Sequence, residues 1–186
     1  MSMASPAKVW TVDMLQSLPD DGNRYEIIGG ELFVTPAPTI THERAARRLG
    51  KLLDSYAEAE LAQVEVFALL SDIEKDKHNL VQPDVLVIDW SRGADQSKWP
   101  PMSSLLLAAE VLSPSTAKRD RTLKRDLYLS EGVEYWIVDP KARAIERWLR
   151  GTKAPAVITG MLTWKPAGAK RALVIDVPEL FEPPKF

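Results

Sequence analysis

Residues 105–112 read Leu105-Leu106-Leu107-Ala108-Ala109-Glu110-Val111-Leu112, with Ser104 before them and Ser113-Pro114 after. The run is apolar at both parities. A strand with two apolar faces is covered on both sides, so this segment is expected at the centre of a sheet with helices packed on it. One side chain breaks the pattern. An unpaired Glu110 carboxylate there would cost several kcal/mol or take up a proton. A cation, a basic side chain or a metal must stand beside it.

Upstream, Gln82-Pro83-Asp84-Val85-Leu86-Val87-Ile88 is a second apolar strand. Alternation puts Asp84 on the face of Leu86 and Ile88. A polar loop, 89–104, joins the two strands and offers Arg92, Lys98 and Trp99 as substrate contacts. Downstream, Ser113–Thr116 leads into a helix that is expected to reach about Ser130 and to stop at Gly132. On that helix Asp120, Leu123, Lys124, Leu127 and Tyr128 form one i, i+3, i+4 stripe. The stripe holds the leucines, so it faces the sheet, with Arg121 and Arg125 beside it. Further strands are expected at 135–138, 144–149, 156–162 and 173–177.

Before residue 82 the pattern predicts a short helix over 10–18 and a turn at Pro19–Gly22. A hairpin follows over Arg24–Val34 with Gly29-Gly30 at its tip. Thr41 is expected to cap a helix over His42–Ala62, whose buried stripe is Ala45, Ala46, Leu49, Leu52, Leu53 and Tyr56, with His42 on it in the first turn. A strand over 64–70 and a polar hairpin connection over 72–79 complete the first half. The element order specifies an α/β (α+β) protein with a mixed sheet flanked by helices.

The chain has 186 residues, 45% hydrophobic and 27% charged, with a formal net charge of −2. Its length fits one domain over 1–186, with short flexible ends at about 1–8 and 183–186. Cysteine is absent and the only histidines are His42 and His78. Disulfides, thiol nucleophiles and Cys-based or multi-His metal sites are therefore excluded. The opening residues lack the basic and apolar regions of a signal peptide, and no apolar run approaches the ~20 residues of a membrane span. The expectation is a cytoplasmic protein with no membrane partner. Acidic residues are in excess before residue 113 and basic residues after it, most densely over 118–125. No global basic field advertises nucleic-acid binding.

Asp84 and Glu110 on neighbouring strands can hold Mg²⁺ or Mn²⁺, which take oxygen ligands and keep waters. Lys124 close by can orient a water and neutralise charge developing on a phosphate. That set suffices for metal-assisted phosphodiester hydrolysis. The plain alternative is that Lys124 snorkels outward and Glu110 is one half of a structural ion pair. A carboxylate-pair glycosidase is a further reading. Lys124 on the same face opposes it, because a cation depresses the raised pKa that a general acid needs.

Pro83-Asp84, Glu110-Val111-Leu112-Ser113-Pro114-Ser115-Thr116, Asp120, Lys124, Tyr128 and the run Gly132–Pro140 together resemble the Uma-two family. These are restriction-endonuclease-like proteins of the PD-(D/E)XK nuclease superfamily. Tyr25–Leu32 resembles the family's N-terminal hairpin, His42 a histidine that opens its first long helix, and Ala172–Phe181 its C-terminal strand and tail. The resemblance covers about residues 10–182. It implies a restriction-endonuclease-like mixed sheet with an N-terminal hairpin and extra C-terminal strands. It also implies Asp84 and Glu110 as metal ligands, with the Val111 carbonyl as a third. The superfamily lysine expected two residues after the glutamate is replaced by Leu112. Lys124 is the natural substitute, and Lys124-x-x-x-Tyr128 resembles the Gln-x-x-x-Tyr helix of the RecB-type branch. Gly132-Val133-Glu134-Tyr135-Trp136 is one residue shorter than the family's usual loop.

The expected activity is a Mg²⁺-dependent (or Mn²⁺-dependent) endodeoxyribonuclease acting on DNA. Asp84, Glu110 and Lys124 are its catalytic residues. Glu26, His42, Asp120 and Tyr128 are candidate supporting residues, although Glu26 also suits a structural hairpin role and His42 a helix-start hydrogen bond. Arg121 and Arg125 are expected to contact DNA. Six tryptophans in a small chain favour a homodimer or higher homo-oligomer. The rival is a catalytically inactive nuclease-fold protein that serves as a binding or assembly module.

Overall fold

The computed structural model describes residues 8–68 and 71–183. The ends expected to be flexible, and residues 69–70 of the strand expected over 64–70, fall wholly or partly outside them.

The chain opens with α1 (Val12–Leu15), then the hairpin β1 (Arg24–Ile28) and β2 (Glu31–Thr35), and the long helix α2 (Ile40–Glu60). β3 (Val64–Ala68), β4 (Ile73–Asp76), β5 (Asn79–Val81) and β6 (Val85–Asp89) lead to β7 (Leu105–Val111). Next comes a helix in three parts: α3 (Ala117–Arg119), a π-helical turn (Asp120–Lys124) and α4 (Arg125–Ser130). β8 (Glu134–Asp139), β9 (Ala144–Trp148), β10 (Ala156–Ile158), β11 (Met161–Trp164) and β12 (Leu173–Asp176) complete the chain.

Six strands form the main sheet in the order β10-β9-β8-β7-β6-β3. β7 runs parallel to β8 and antiparallel to β6. It is interior, as its two apolar faces require. The sheet is mixed and carries helices, which is the expected architecture. On one face Val85, Val87, Leu107, Ala109 and Val111 pack against α2 and the β11–β12 ribbon. On the other Leu86, Ile88, Ala108 and Ile137 pack against Leu127 and Tyr128 of α4, and against Ile28, Ile73 and Val81 of the four-stranded sheet β2-β1-β5-β4. Glu110 shares the parity of Ala108, and Asp84 that of Leu86. Both acids therefore belong to the α4 side.

Several local expectations are corrected. Thr39, not Thr41, caps α2 by accepting the His42 N–H at 3.4 Å, so the helix starts two residues earlier. The stretch over 72–79 is itself a hairpin, β4–β5. The strand expected over 156–162 is two strands in different sheets, broken at Gly160. The short helix over 10–18 shrinks to α1, which buries no side chain. Leu52, at the margin of the stripe expected to be buried on α2, is 40% exposed. Leu123 is 41% exposed while Asp120 and Lys124 are buried. The π-turn changes the helical period, so the i, i+3, i+4 rule misplaces Leu123.

Gly50 brings α2 against the sheet. A Cβ there would meet the Ala68 Cβ at 3.0 Å and Val85 Cγ1 at 3.9 Å. Gly50→Leu overpacks that contact and is expected to lower stability by roughly 1–3 kcal/mol, read as a lower urea midpoint at unchanged slope.

Candidate active site

The antiparallel register of β6 and β7 pairs Val85 with Ala109, which carries Asp84 level with Glu110. The two carboxylates enter one cavity of about 530 Å³, lined also by Lys124, Glu26 and Asp120. Loop 89–104 joins the opposite ends of these strands, which removes Arg92, Lys98 and Trp99 from the cavity lining.

Asp84 is held on three sides. Its Oδ1 accepts from Arg24 Nη1 at 2.6 Å. Its Oδ2 lies 2.9 Å from His42 Nε2 and accepts the Val111 N–H at 2.8 Å. Burial pushes the Asp84 carboxyl up, but the hydrogen bond and charge of His42 and the Arg24 guanidinium outweigh it, and the group sits below the usual carboxylate range. Asp84 is thus a fixed anion.

Glu110 has the opposite balance. Its Oε1 takes Lys124 Nζ at 2.7 Å and the Tyr128 hydroxyl at 3.3 Å. Burial is the largest influence on it. Lys124 opposes that influence, while Asp84, Asp120 and Glu26 add to it, and the Glu110 carboxyl is pushed up. The one cation that opposes this is shared. Lys124 Nζ is also 2.7 Å from Glu26 Oε1 and 4.0 Å from Asp120 Oδ1. Desolvation lowers the Lys124 ammonium, but these three carboxylates overcome it and raise it above its ordinary value. Lys124 stays charged. It does not snorkel, being 2% exposed.

Glu26 accepts the Gln82 N–H at 2.8 Å and faces Arg119 Nη2 at 3.1 Å. Asp120 is 1% exposed, and burial raises its carboxyl. Tyr128 stacks on Tyr135 with ring centroids 4.9 Å apart, and the Tyr135 hydroxyl donates to the Asp120 carbonyl at 3.2 Å. Glu26, His42, Asp120 and Tyr128 are thus all joined to the network around Asp84, Glu110 and Lys124.

Arg121 and Arg125 are placed differently. Arg121 pairs with Asp139 at 2.9 Å and Glu146 at 2.5 Å. Arg125 pairs with Asp126 at 2.6 Å and lies over the Trp148 ring. Arg121 lines the cavity; Arg125 does not. Two residues of the network were not among the sequence candidates, Arg24 and Arg119. The signal for Arg24 was available, since it lies two residues before Glu26 on β1 and alternation puts both on one face.

Oxygen donors on opposed strands suit Mg²⁺ or Mn²⁺, with water and substrate completing the shell. Asp84, Glu110 and the Val111 carbonyl supply that donor type, and the Glu110 contacts above use only Oε1. Among the described residues no group of three or more His, Asp or Glu forms a ready-made metal cage. A cation at Asp84 would compete with Arg24 for Oδ1.

The Uma2 family pattern, described as "Putative restriction endonuclease", matches residues 12–166. The chain belongs to the Uma2 family. A search of curated proteins finds no match. Among solved structures, a nuclease from Anabaena variabilis described as "putative" and as belonging to DUF820 superposes with a TM-score of 0.74 at 20% identity, over 92% of this chain and 97% of that one. At that identity the likeness speaks for the fold, which is the nuclease-like mixed sheet that the family resemblance implies. Among the described residues of this Uma2 chain, no helix is long and apolar enough to cross a membrane.

Proposed function

We propose that this Uma2 protein is a divalent-metal-dependent DNA endonuclease of the cytoplasm, built as one nuclease-like domain over residues 1–186. The observation that carries the proposal is the contact of Lys124 Nζ with Glu110 Oε1 at 2.7 Å, on the floor of the cavity that Asp84 shares. Asp84, Glu110 and the Val111 carbonyl would hold Mg²⁺ or Mn²⁺. The bound ion supplies charge neutralisation of a phosphoryl oxygen and acidifies a water.

The chain's own groups do the rest. Arg24, His42 and the Val111 N–H fix the orientation of the Asp84 carboxylate. Lys124 keeps Glu110 Oε1 in place and holds a full positive charge where negative charge gathers on a phosphate, in a site sheltered from water. Held charged by three carboxylates, Lys124 acts as an electrostatic group and not as a proton acceptor. Glu26 and Asp120 hold Lys124 in turn. Arg121, at the cavity wall, reaches a phosphate by exchanging Asp139 or Glu146 for it. Arg125 contacts DNA outside the cavity. The chain would assemble as a homodimer or higher oligomer, with some of its six tryptophans at the interface.

Isothermal calorimetry with Mn²⁺, alongside oligonucleotide cleavage, tests the site. Binding is expected in the wild type and is expected to be lost in Asp84→Asn and in Glu110→Gln. Undiminished binding in both variants would sink the ligand assignment. The second reading is a non-catalytic nuclease-fold module. The engagement of both Asp84 oxygens by protein groups favours it. Absence of cleavage together with retained DNA binding would select it.

A further inference from the structure

Asp84, Lys124 and Glu110 are 1%, 2% and 4% exposed. A phosphodiester therefore meets them only by entering the cavity. At about 530 Å³ the space is the size of a small-ligand pocket. A paired duplex presents a major groove ~12 Å wide and is read from outside. A pocket of this size that also admits the base beside the phosphate takes a single strand, or a nucleotide swung out of the stack, and not a paired base.

The charge pattern points the same way. Duplex-binding proteins neutralise many phosphates with free Lys and Arg. Here Arg24 is committed to Asp84, Arg119 to Glu26, Arg121 to Asp139 and Glu146, and Lys124 to Glu26 and Glu110. Among the described residues Lys141 is the one Lys or Arg lining the cavity with no carboxylate within 4.0 Å. With Arg121 available only by exchanging a carboxylate, the lining has few cations for phosphate and no track for a duplex backbone.

The rest of the lining suits a base and sugar. Pro36, Ala37 and Pro38 come from the β2–α2 connection, Pro114 from the segment after β7, and Pro140 from the β8–β9 turn. The four proline rings and the Ala37 methyl give apolar surface, and the rings fix the backbone. Polar capacity is also left over. His42 Nδ1, Asp120 Oδ1, Gln82 Oε1 and Arg119 Nε are buried without hydrogen-bond partners, and all four residues line this cavity. Buried polar atoms are normally satisfied, so the four leave spare hydrogen-bonding capacity in the wall just behind the cavity surface, with Arg119 Nε and Asp120 Oδ1 4.0 Å apart.

We propose that the cavity takes a single unpaired nucleotide, so that the substrate is single-stranded DNA or an unpaired bulge, and not a continuously paired duplex. The inference rests on the hydrolytic reading above for its chemistry but not for its occupant. Fluorescence anisotropy in EDTA on the wild-type chain measures binding to three labelled DNAs of about 20 nucleotides, longer than common single-strand sites. They are a single strand, a matched duplex and a duplex with one bulged nucleotide. The single strand and the bulge are expected to bind at least tenfold more tightly than the matched duplex. The salt slope is expected to be near −2, the value for about three neutralised phosphates on a single strand, one each at Lys141, Arg121 and Arg125, and Lys141→Ala should flatten it by about 0.7. Equal or tighter binding of the matched duplex, a slope of about −5, or binding to none of the three would overturn the inference. The same DNAs with Mn²⁺ report cleavage separately. Single-strand preference without any cleavage removes the hydrolytic reading and leaves the occupant standing.

Discussion

Lys124→Ala is expected to cost the fold roughly 3–5 kcal/mol, the usual result of stripping one partner from a buried charge network. The ammonium is buried and sits 2.7 Å from both Glu26 and Glu110. Its removal leaves two buried carboxylates facing each other without that cation. Arg119 and the Gln82 N–H remain on Glu26, and Tyr128 on Glu110. The sign with pH follows from the raised Lys124 value. A cation whose folded pKa exceeds its unfolded one contributes its full stability below the unfolded value and loses it only at strongly alkaline pH. The wild type therefore has the whole benefit at neutral pH. In the variant the orphaned carboxyls take up protons as pH falls, so the gap between variant and wild type should narrow on acidification. Urea unfolding of both proteins at neutral and mildly acidic pH reads this directly. A loss below about 1 kcal/mol at neutral pH, the size of a surface pair, would show that the network contributes little. Activity lost in this variant is interpretable only beside Lys124→Arg, which keeps a cation in the cage.

Glu110→Gln is expected to do the reverse to stability while abolishing turnover. Burial holds the Glu110 carboxyl above its unfolded value. The native state then binds the proton more tightly, and stability declines as pH rises from the unfolded pKa toward the folded one. Glutamine removes that decline and still offers an oxygen to Lys124 and Tyr128. The variant should match the wild type in acid and exceed it at neutral pH by about 1 kcal/mol, a common gain where a functional group is neutralised. Cleavage should fall by roughly 10²–10³-fold or more, the scale for losing one preorganised electrostatic group. Destabilisation at neutral pH would instead identify Glu110 as a purely structural partner of Lys124.

The parts of this molecule legible beforehand are those in which one chemical rule acts alone. Two apolar parities fixed the interior place of β7, and Gly29-Gly30 marked the hairpin tip. The search for a cation to offset Glu110 led to Lys124, which lies against it. Elsewhere competing rules hid the outcome. Thr39 and Thr41 are equally good caps by composition, and the choice depends on where the chain leaves β2. Gly160 inside an apolar run looked tolerable for one strand, yet it is where the chain changes sheets. Arg24 and Arg119 went unnoticed because their partners, Asp84 and Glu26, are distant in the chain. Leu123 was misplaced because nothing in DRTLK announces a change of helical period.

That change of period at Asp120–Lys124 has an evolutionary corollary. A π-turn carries one residue more than an α-turn over the same advance, the form in which a helix absorbs an insertion while the residues on either side stay in phase. The segment therefore has slack of one residue. Deleting the exposed Leu123 should let it relax to a continuous α-helix with α3 and α4 still in phase. The casualty would be the spacing between Asp120 and Lys124, and with it the position of the ammonium on the cavity floor.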